Sequence, residues 1–204
     1  MPWCRPSFLL NSGTRRPAWS AAAVALTALL VAPDSRASAQ GFGWGIAPSA
    51  IIDTEFTDGA QVGPGLTGEI EVGAENLLSY SAVVSLARTD FSVGPDELHR
   101  NFGSVALGVR LMREGWERPS VGLLLGIGAL FWDDLSETDP AFRSSANAEE
   151  MLLPGVELRW PLGSELGVSF SVRDQLTGWW NALLDPSEGE LNHRLIIAAG
   201  LYHW

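Results

Sequence analysis

The 204-residue chain contains no lysine and a single cysteine, Cys4. The missing lysine leaves arginine as the only strongly basic residue, which reads as codon bias with no mechanism attached. The lone cysteine excludes a disulfide framework. It also lies in a segment read below as a leader, so the mature chain has no thiol chemistry. Positive charge is scarce, with 13 basic against 24 acidic residues and a formal net charge of −11. That excludes nucleic acid as a partner, since phosphate binding needs clustered cations. An apolar run of membrane-helix length is lacking too: "AAAVALTALLVA" over 21–32 has 12 residues, where a bilayer span needs about 20.

What that run does resemble is the core of a secretory leader. Arg5, Arg15 and Arg16 precede it and the small residues Ala37, Ser38 and Ala39 follow, so a signal peptide over 1–39 with cleavage before Gln40 is expected. Removing Arg5, Arg15, Arg16, Arg36 and Asp34 leaves nine basic and 23 acidic residues, a mature balance of −14. Residues 40–204 are then of a length for one domain.

The dominant signal in that domain is alternation with period two. In "VGPGLTGEIEVGA", Val62, Leu66, Ile70 and Val72 share one face, and Gly63, Thr67, Glu69 and Glu71 share the other. "VGLLLGIGALF" sets Leu123, Leu125 and Ile127 against Gly122, Leu124 and Gly126, and "LGVSFSVR" sets Val168 and Phe170 against Ser169 and Ser171. Eight such segments are predicted, at 42–52, 62–73, 77–89, 101–112, 119–131, 151–161, 165–176 and 194–204. Their lengths suit tilted membrane strands. Long polar connections follow the first, third, fifth and seventh, and short turns the second, fourth and sixth. An all-β, eight-stranded antiparallel up-and-down transmembrane β-barrel with both ends at one rim has this asymmetry.

A soluble lipocalin-like barrel would turn the apolar face inward and a charged face to water. Here the second face is mainly Gly, Ser, Ala and Thr, which suits a cramped lumen and sends the apolar face to lipid. The aromatics sort to the ends. Trp44, Trp116, Trp160, Tyr202 and Trp204 fall at the short-turn rim, and Phe56, Phe91, Phe102, Phe131 and Trp132 toward the long loops, the pattern of two interfacial girdles. In the closing "LIIAAGLYHW", Ile196, Ala198, Gly200, Tyr202 and Trp204 share a face expected to end in the interfacial belt. That leaves Leu195, Ile197, Ala199 and Leu201 inward, an unusually apolar lining.

In this architecture and its aromatic ending, everything after Gln40 resembles the small eight-stranded outer-membrane barrels of the OmpA/OmpX type. The resemblance implies a monomer in the outer membrane of a Gram-negative-type bacterium, surrounded by lipid and lipopolysaccharide. It also implies that the barrel-assembly machinery reads Trp204.

The inward face carries Glu69, Glu71, Arg110, Glu157, Arg159 and Arg173, which should pair across the lumen because unpaired buried charge is expensive. A network that plugs the barrel is expected over a gated ion path, since eight strands leave an interior just filled by side chains. Some such barrels are lipid-modifying enzymes, and lipid A deacylases carry a His-x-Ser pair that sets a base beside the nucleophile. Here His99 is followed by Arg100 and Asn101, His193 by Arg194 and Leu195, and His203 by the final Trp204. These read as solvated loop histidines, with no enzyme expected. The loop acids Asp53, Glu55 and Asp58, Asp133, Asp134, Glu137, Asp139, Glu149 and Glu150, and Asp185, Glu188 and Glu190 match no calcium-loop spacing. They read as a solvated rim, with no metal or cofactor. In "TGWWNALLD", Trp179, Trp180, Leu183 and Leu184 are apolar enough for a short helix on the outer leaflet or a partner contact.

Deleting Trp204 should reduce barrel assembled in the outer membrane. Gel mobility in SDS with and without boiling measures this, and undiminished heat-modifiable protein would show that the ending is no recognition signal.

Overall fold

Period-two alternation becomes eight strands in a computed structural model that describes residues 41–54, 60–73, 77–93, 96–112, 118–136, 147–184 and 191–203. The strands are β1 (Phe42–Asp53), β2 (Gln61–Val72), β3 (Leu78–Val93), β4 (Asp96–Met112), β5 (Ser120–Ser136), β6 (Asn147–Pro161), β7 (Leu166–Thr177) and β8 (Asn192–His203). A six-residue helix, α1 (Trp179–Leu184), follows β7. Each strand pairs antiparallel with the next, and β8 returns to β1 to close the barrel. Closure leaves no strand edge exposed, the condition for a sheet in hydrocarbon. The leader segment, Phe56, Trp116, Trp204 and the acids Glu55, Asp58, Glu137, Asp139, Asp185, Glu188 and Glu190 lie outside the described residues.

Alternation fixes the faces. Leu125 is 53% and Ile127 63% exposed on the outside, whereas Leu124 and Leu130 of the same strand are buried inside. Thr67, Glu69 and Glu71 point inward from β2 while Leu66, Ile70 and Val72 point out. Large apolar side chains outside and charges inside reverse the order of a soluble barrel, and hydrocarbon is the solvent such an exterior suits.

Two expectations are corrected. The second long loop, "DFSVGPDELHR", is mostly strand: the β3–β4 ladder runs on to Val93↔Asp96. Similarly β5 extends to Ser136, and β6 begins at Asn147. Polar residues beyond the apolar band can stay in a ladder when they pair across it, as Asn101 does with Asp133 at 3.2 Å. The face of β8 is the opposite of that expected. Arg194, Ile196, Ala198 and Tyr202 are buried inside, and Leu195, Ile197, Ala199 and Leu201 lie on the outer side. Both faces of this strand are apolar, so hydropathy alone did not set its parity, and a one-residue slip exchanges every side chain. Arg194, which shares its parity with Tyr202, is the sequence signal that marks the inner face.

Leu125→Arg, near the middle of the outer band, should destabilise the barrel in lipid vesicles by about 2–4 kcal/mol. Cysteine-linked fluorophores at 125, 197 and 201 should be quenched by brominated acyl chains, and one at 198 should not. Quenching at 198 alone within β8 would overturn the corrected parity.

Candidate functional site: the barrel interior

Three carboxylates and three guanidiniums meet in the half of the lumen nearest the short turns. Glu69 and Glu71 come from β2, Arg110 from β4, Glu157 and Arg159 from β6 and Arg173 from β7. Arg110 bridges all three acids: it pairs with Glu69, with Glu71 at 2.5 Å and with Glu157 at 2.8 Å. Arg159 reaches Glu71 and Glu157, both at 2.8 Å. Arg173 closes on Glu69 at 2.5 Å. All six are buried, and their formal charges cancel. Each guanidinium serves more than one carboxylate, as its forked donors permit.

Tyr202 belongs to this network and not to the interfacial girdle. Its hydroxyl donates to Glu71 at 2.5 Å, and the Arg159 guanidinium lies 3.5 Å from its ring centroid. Ser79 adds a further hydrogen bond to Glu71. The position of Tyr202 depends on β1, where a Cβ on Gly43 would stand 2.0 Å from the Tyr202 hydroxyl. Gly43 therefore supplies the space through which β8 reaches β2. Trp44 and Trp160 do face outward near the short-turn rim, and Trp44 stacks on His203 at 5.7 Å with 10° between planes.

Above the network the interior is apolar. Ile51, Val83, Phe102, Ala106, Leu124, Leu130, Met151, Leu153 and Ile196 form one buried cluster, with Trp132 packed against it. Phe102 and Trp132 are thus interior residues, not part of an outer girdle. Polar side chains interrupt this cluster: Gln175 donates to Ser104 at 2.7 Å while its Oε1 is buried and accepts no hydrogen bond, and Thr67 lies 3.4 Å from Ser85.

A second ionic layer closes the long-loop end. Arg194 and Asp53 are both fully buried and lie 3.4 Å apart. Arg194 also donates to Thr177 at 3.2 Å, and its guanidinium lies 5.6 Å from Phe102 and 5.5 Å from Trp132. Arg100 grips Asp134 with two bonds, at 2.6 and 3.2 Å. Asp53, Asp133 and Asp134 are therefore strand residues in pairs, not members of a solvated loop. Sequence reading missed this layer because it placed Asp53 past the end of β1 and did not use Arg194.

The histidines lie on strands as well. His99 meets Asp90 at 2.6 Å and His193 meets Asp174 at 2.9 Å, each pair on the outer side of adjacent strands. The hydrogen bond from His99 holds the Asp90 carboxyl below its ordinary value. Its contribution to stability is present above the ordinary aspartate range and is lost as pH falls through the lowered value. Among the described residues, no group of three His, Cys, Asp or Glu side chains could hold a metal ion.

With this geometry in hand, comparison with known proteins is informative at the level of fold. No protein-family model and no curated protein matches the chain. Neisserial surface protein A superposes with a TM-score of 0.54 at 12% identity, over 80% of this chain and 99% of that one. The chain has the fold of that small eight-stranded outer-membrane barrel. Ail of Yersinia pestis is similar at 15% identity, with 79% of this chain and 95% of that one covered and a TM-score of 0.45. The N-terminal barrel domain of Pseudomonas aeruginosa OprF gives 11%, 78%, 96% and 0.40 for the same four measures.

Breaking one partner of the lower network should cost more than removing a pair. Arg159→Met should lower unfolding stability in urea by about 3–5 kcal/mol, and adding Glu157→Gln should restore part of it. Tyr202→Phe should cost about 1.5–3 kcal/mol through Glu71. An Arg159→Met barrel as stable as the wild type would refute the dependence on pairing.

Proposed function

We propose that the protein is a non-conducting outer-membrane barrel of a Gram-negative-type bacterium, with a structural or surface-contact role and no enzymatic one. The apolar layer through the interior carries this reading. Leu130, Met151, Leu153 and Ile196 are almost wholly buried there, between one ionic layer toward the short turns and another toward the long loops. An ion crossing the lumen would have to leave paired charges, cross a tightly packed hydrocarbon layer and re-enter a second set of pairs, each step at a desolvation cost. Eight strands provide no alternative route around those side chains.

The short turns and both chain ends then face the periplasm, with the long connections outside. Outer-membrane lipid and lipopolysaccharide surround the band, the assembly machinery engages Trp204, and the chain is a monomer. On the outer side, α1 offers its own contact: Trp179 packs edge-on to Trp180 at 5.3 Å, while Trp180 and Leu183, three residues apart on one helical face, are exposed. The side chain of Leu184 lies outside the described residues. A leaflet surface or an apolar partner is the chemistry those two side chains accept.

Planar-bilayer recording tests the sealed lumen. Purified wild-type protein should give no steady conductance, and Phe102→Ala with Leu130→Ala, which empties part of the apolar layer, should raise it. Large, stable, ion-selective steps from the wild type would show an open pore and overturn the reading.

A further inference from the structure

Three prolines punctuate the barrel wall, and each falls where two described strands lose their ladder. β1 and β8 keep one register from Trp44↔His203 to Asp53↔Arg194, yet Ala47 and Pro48 have no ladder partner in β8. β6 and β7 keep one register from Met151↔Thr177 to Pro161↔Gly167, yet Leu153 and Pro154 have none in β7. The β2–β3 ladder runs from Val72↔Tyr80 to Gly65↔Ala87 and stops one residue short of Pro64, although β2 continues to Gln61 and β3 to Val93. On its other side each proline sits in an unbroken ladder, at Pro48↔Leu66, Ala50↔Pro64 and Leu125↔Pro154. The N–H that each lacks is therefore one owed across the interruption. The strands have not parted there: a Cβ on Gly200 would collide with the Ile46 carbonyl oxygen, and one on Gly63 with that of Arg88.

These interruptions divide the ring into three panels, β1–β2, β3 to β6, and β7–β8. The ladders inside the panels are continuous, and those between panels are the ones that break. Buried charge follows the same division. Among the described residues, the first panel buries only acids, Asp53, Glu69 and Glu71, and the third only arginines, Arg173 and Arg194, while the second sets Arg110 and Arg159 against Glu157. The buried formal charge is thus three negative, two positive and one net positive respectively, which sums to zero. The contacts run mainly from panel to panel. Arg110 and Arg159 reach Glu69 and Glu71, Arg173 reaches Glu69 and Arg194 reaches Asp53, and Tyr202 donates to Glu71.

We propose that the wall yields at these three joints and that the lumen charges are the clamp that holds them shut. Each joint lacks a backbone hydrogen bond that hydrocarbon cannot replace, whereas the clamp acts across the lumen, between panels. Local opening then takes the form of panels shifting against one another with their internal ladders intact. The β1–β2 panel is the keystone, since its acids hold both neighbours.

Amide hydrogen exchange of the folded barrel in lipid nanodiscs, resolved by NMR, reads the joints one by one. Ile46 and Ala50 alternate with Pro48 in facing β8, where they pair with Leu201 and Ile197. The amides of these four residues should exchange together, and faster than those of the unbroken β4–β5 ladder over 105–109. Pro48→Val, which supplies the missing N–H, should slow the joint about fivefold, the scale of one backbone hydrogen bond, and leave 105–109 unchanged. Tyr202→Phe removes one hydrogen bond between the first and third panels and touches neither a charge nor the wall. It should speed the joint about tenfold and 105–109 far less. A Pro48→Val barrel whose joint exchanges as in the wild type, or a Tyr202→Phe barrel in which 105–109 accelerates as much as the joint, would overturn the proposal.

Discussion

An eight-stranded ring leaves an interior just wide enough for side chains to fill, and that narrowness governs everything placed inside it. A charge there has no room for a hydration shell, so it must meet its opposite on another strand. Arg110 illustrates the consequence: a single guanidinium from β4 is shared by carboxylates of β2 and β6. Such pairs contribute little net stability over well-packed apolar residues, because desolvation offsets most of the Coulombic gain. What they fix is register. A one-residue slip of β2 would turn Glu69 and Glu71 into hydrocarbon and leave three arginines to share Glu157 alone, a far larger penalty than any slip of an all-apolar lining.

The interior is therefore stratified, with ionic, apolar and ionic layers in succession from the short turns to the long loops. The apolar layer works by exclusion and the ionic layers by mutual neutralisation. Neither needs an inserted loop or helix. On the outer side the order is simpler: an apolar band, then cross-strand polar pairs such as Asp90 with His99 and Asn101 with Asp133, where the strands rise past the lipid.

Much of this was legible in the sequence, and the failures have physical causes. The strand count, the barrel and the six lower lumen charges follow from period-two alternation, because charged and apolar residues separate cleanly over 62–72 of β2, 156–160 of β6 and 166–173 of β7. Alternation fails in β8, where Ile196 and Leu195 are equally apolar and only Arg194 breaks the tie. It fails again in upper β3 and β4, whose polar residues on both faces look like loop when read one strand at a time. Cross-strand complementarity, here His99 with Asp90, is invisible until the ladder is known. Phe102 and Trp132 were misplaced for a related reason: an aromatic near a rim can face lipid or lumen, and residue type alone does not choose.

The Tyr202 contact has a meaning for how the ring comes together. Glu71 sits on the second strand, the space that admits Tyr202 is left by Gly43 on the first, and Tyr202 itself arrives with the last. Until the final strand docks against the first, Glu71 lacks one of its donors, the Tyr202 hydroxyl, and Arg159 lacks the aromatic face it rests on. The seam is thus a latch: the closing strand completes a buried network that an open sheet forgoes.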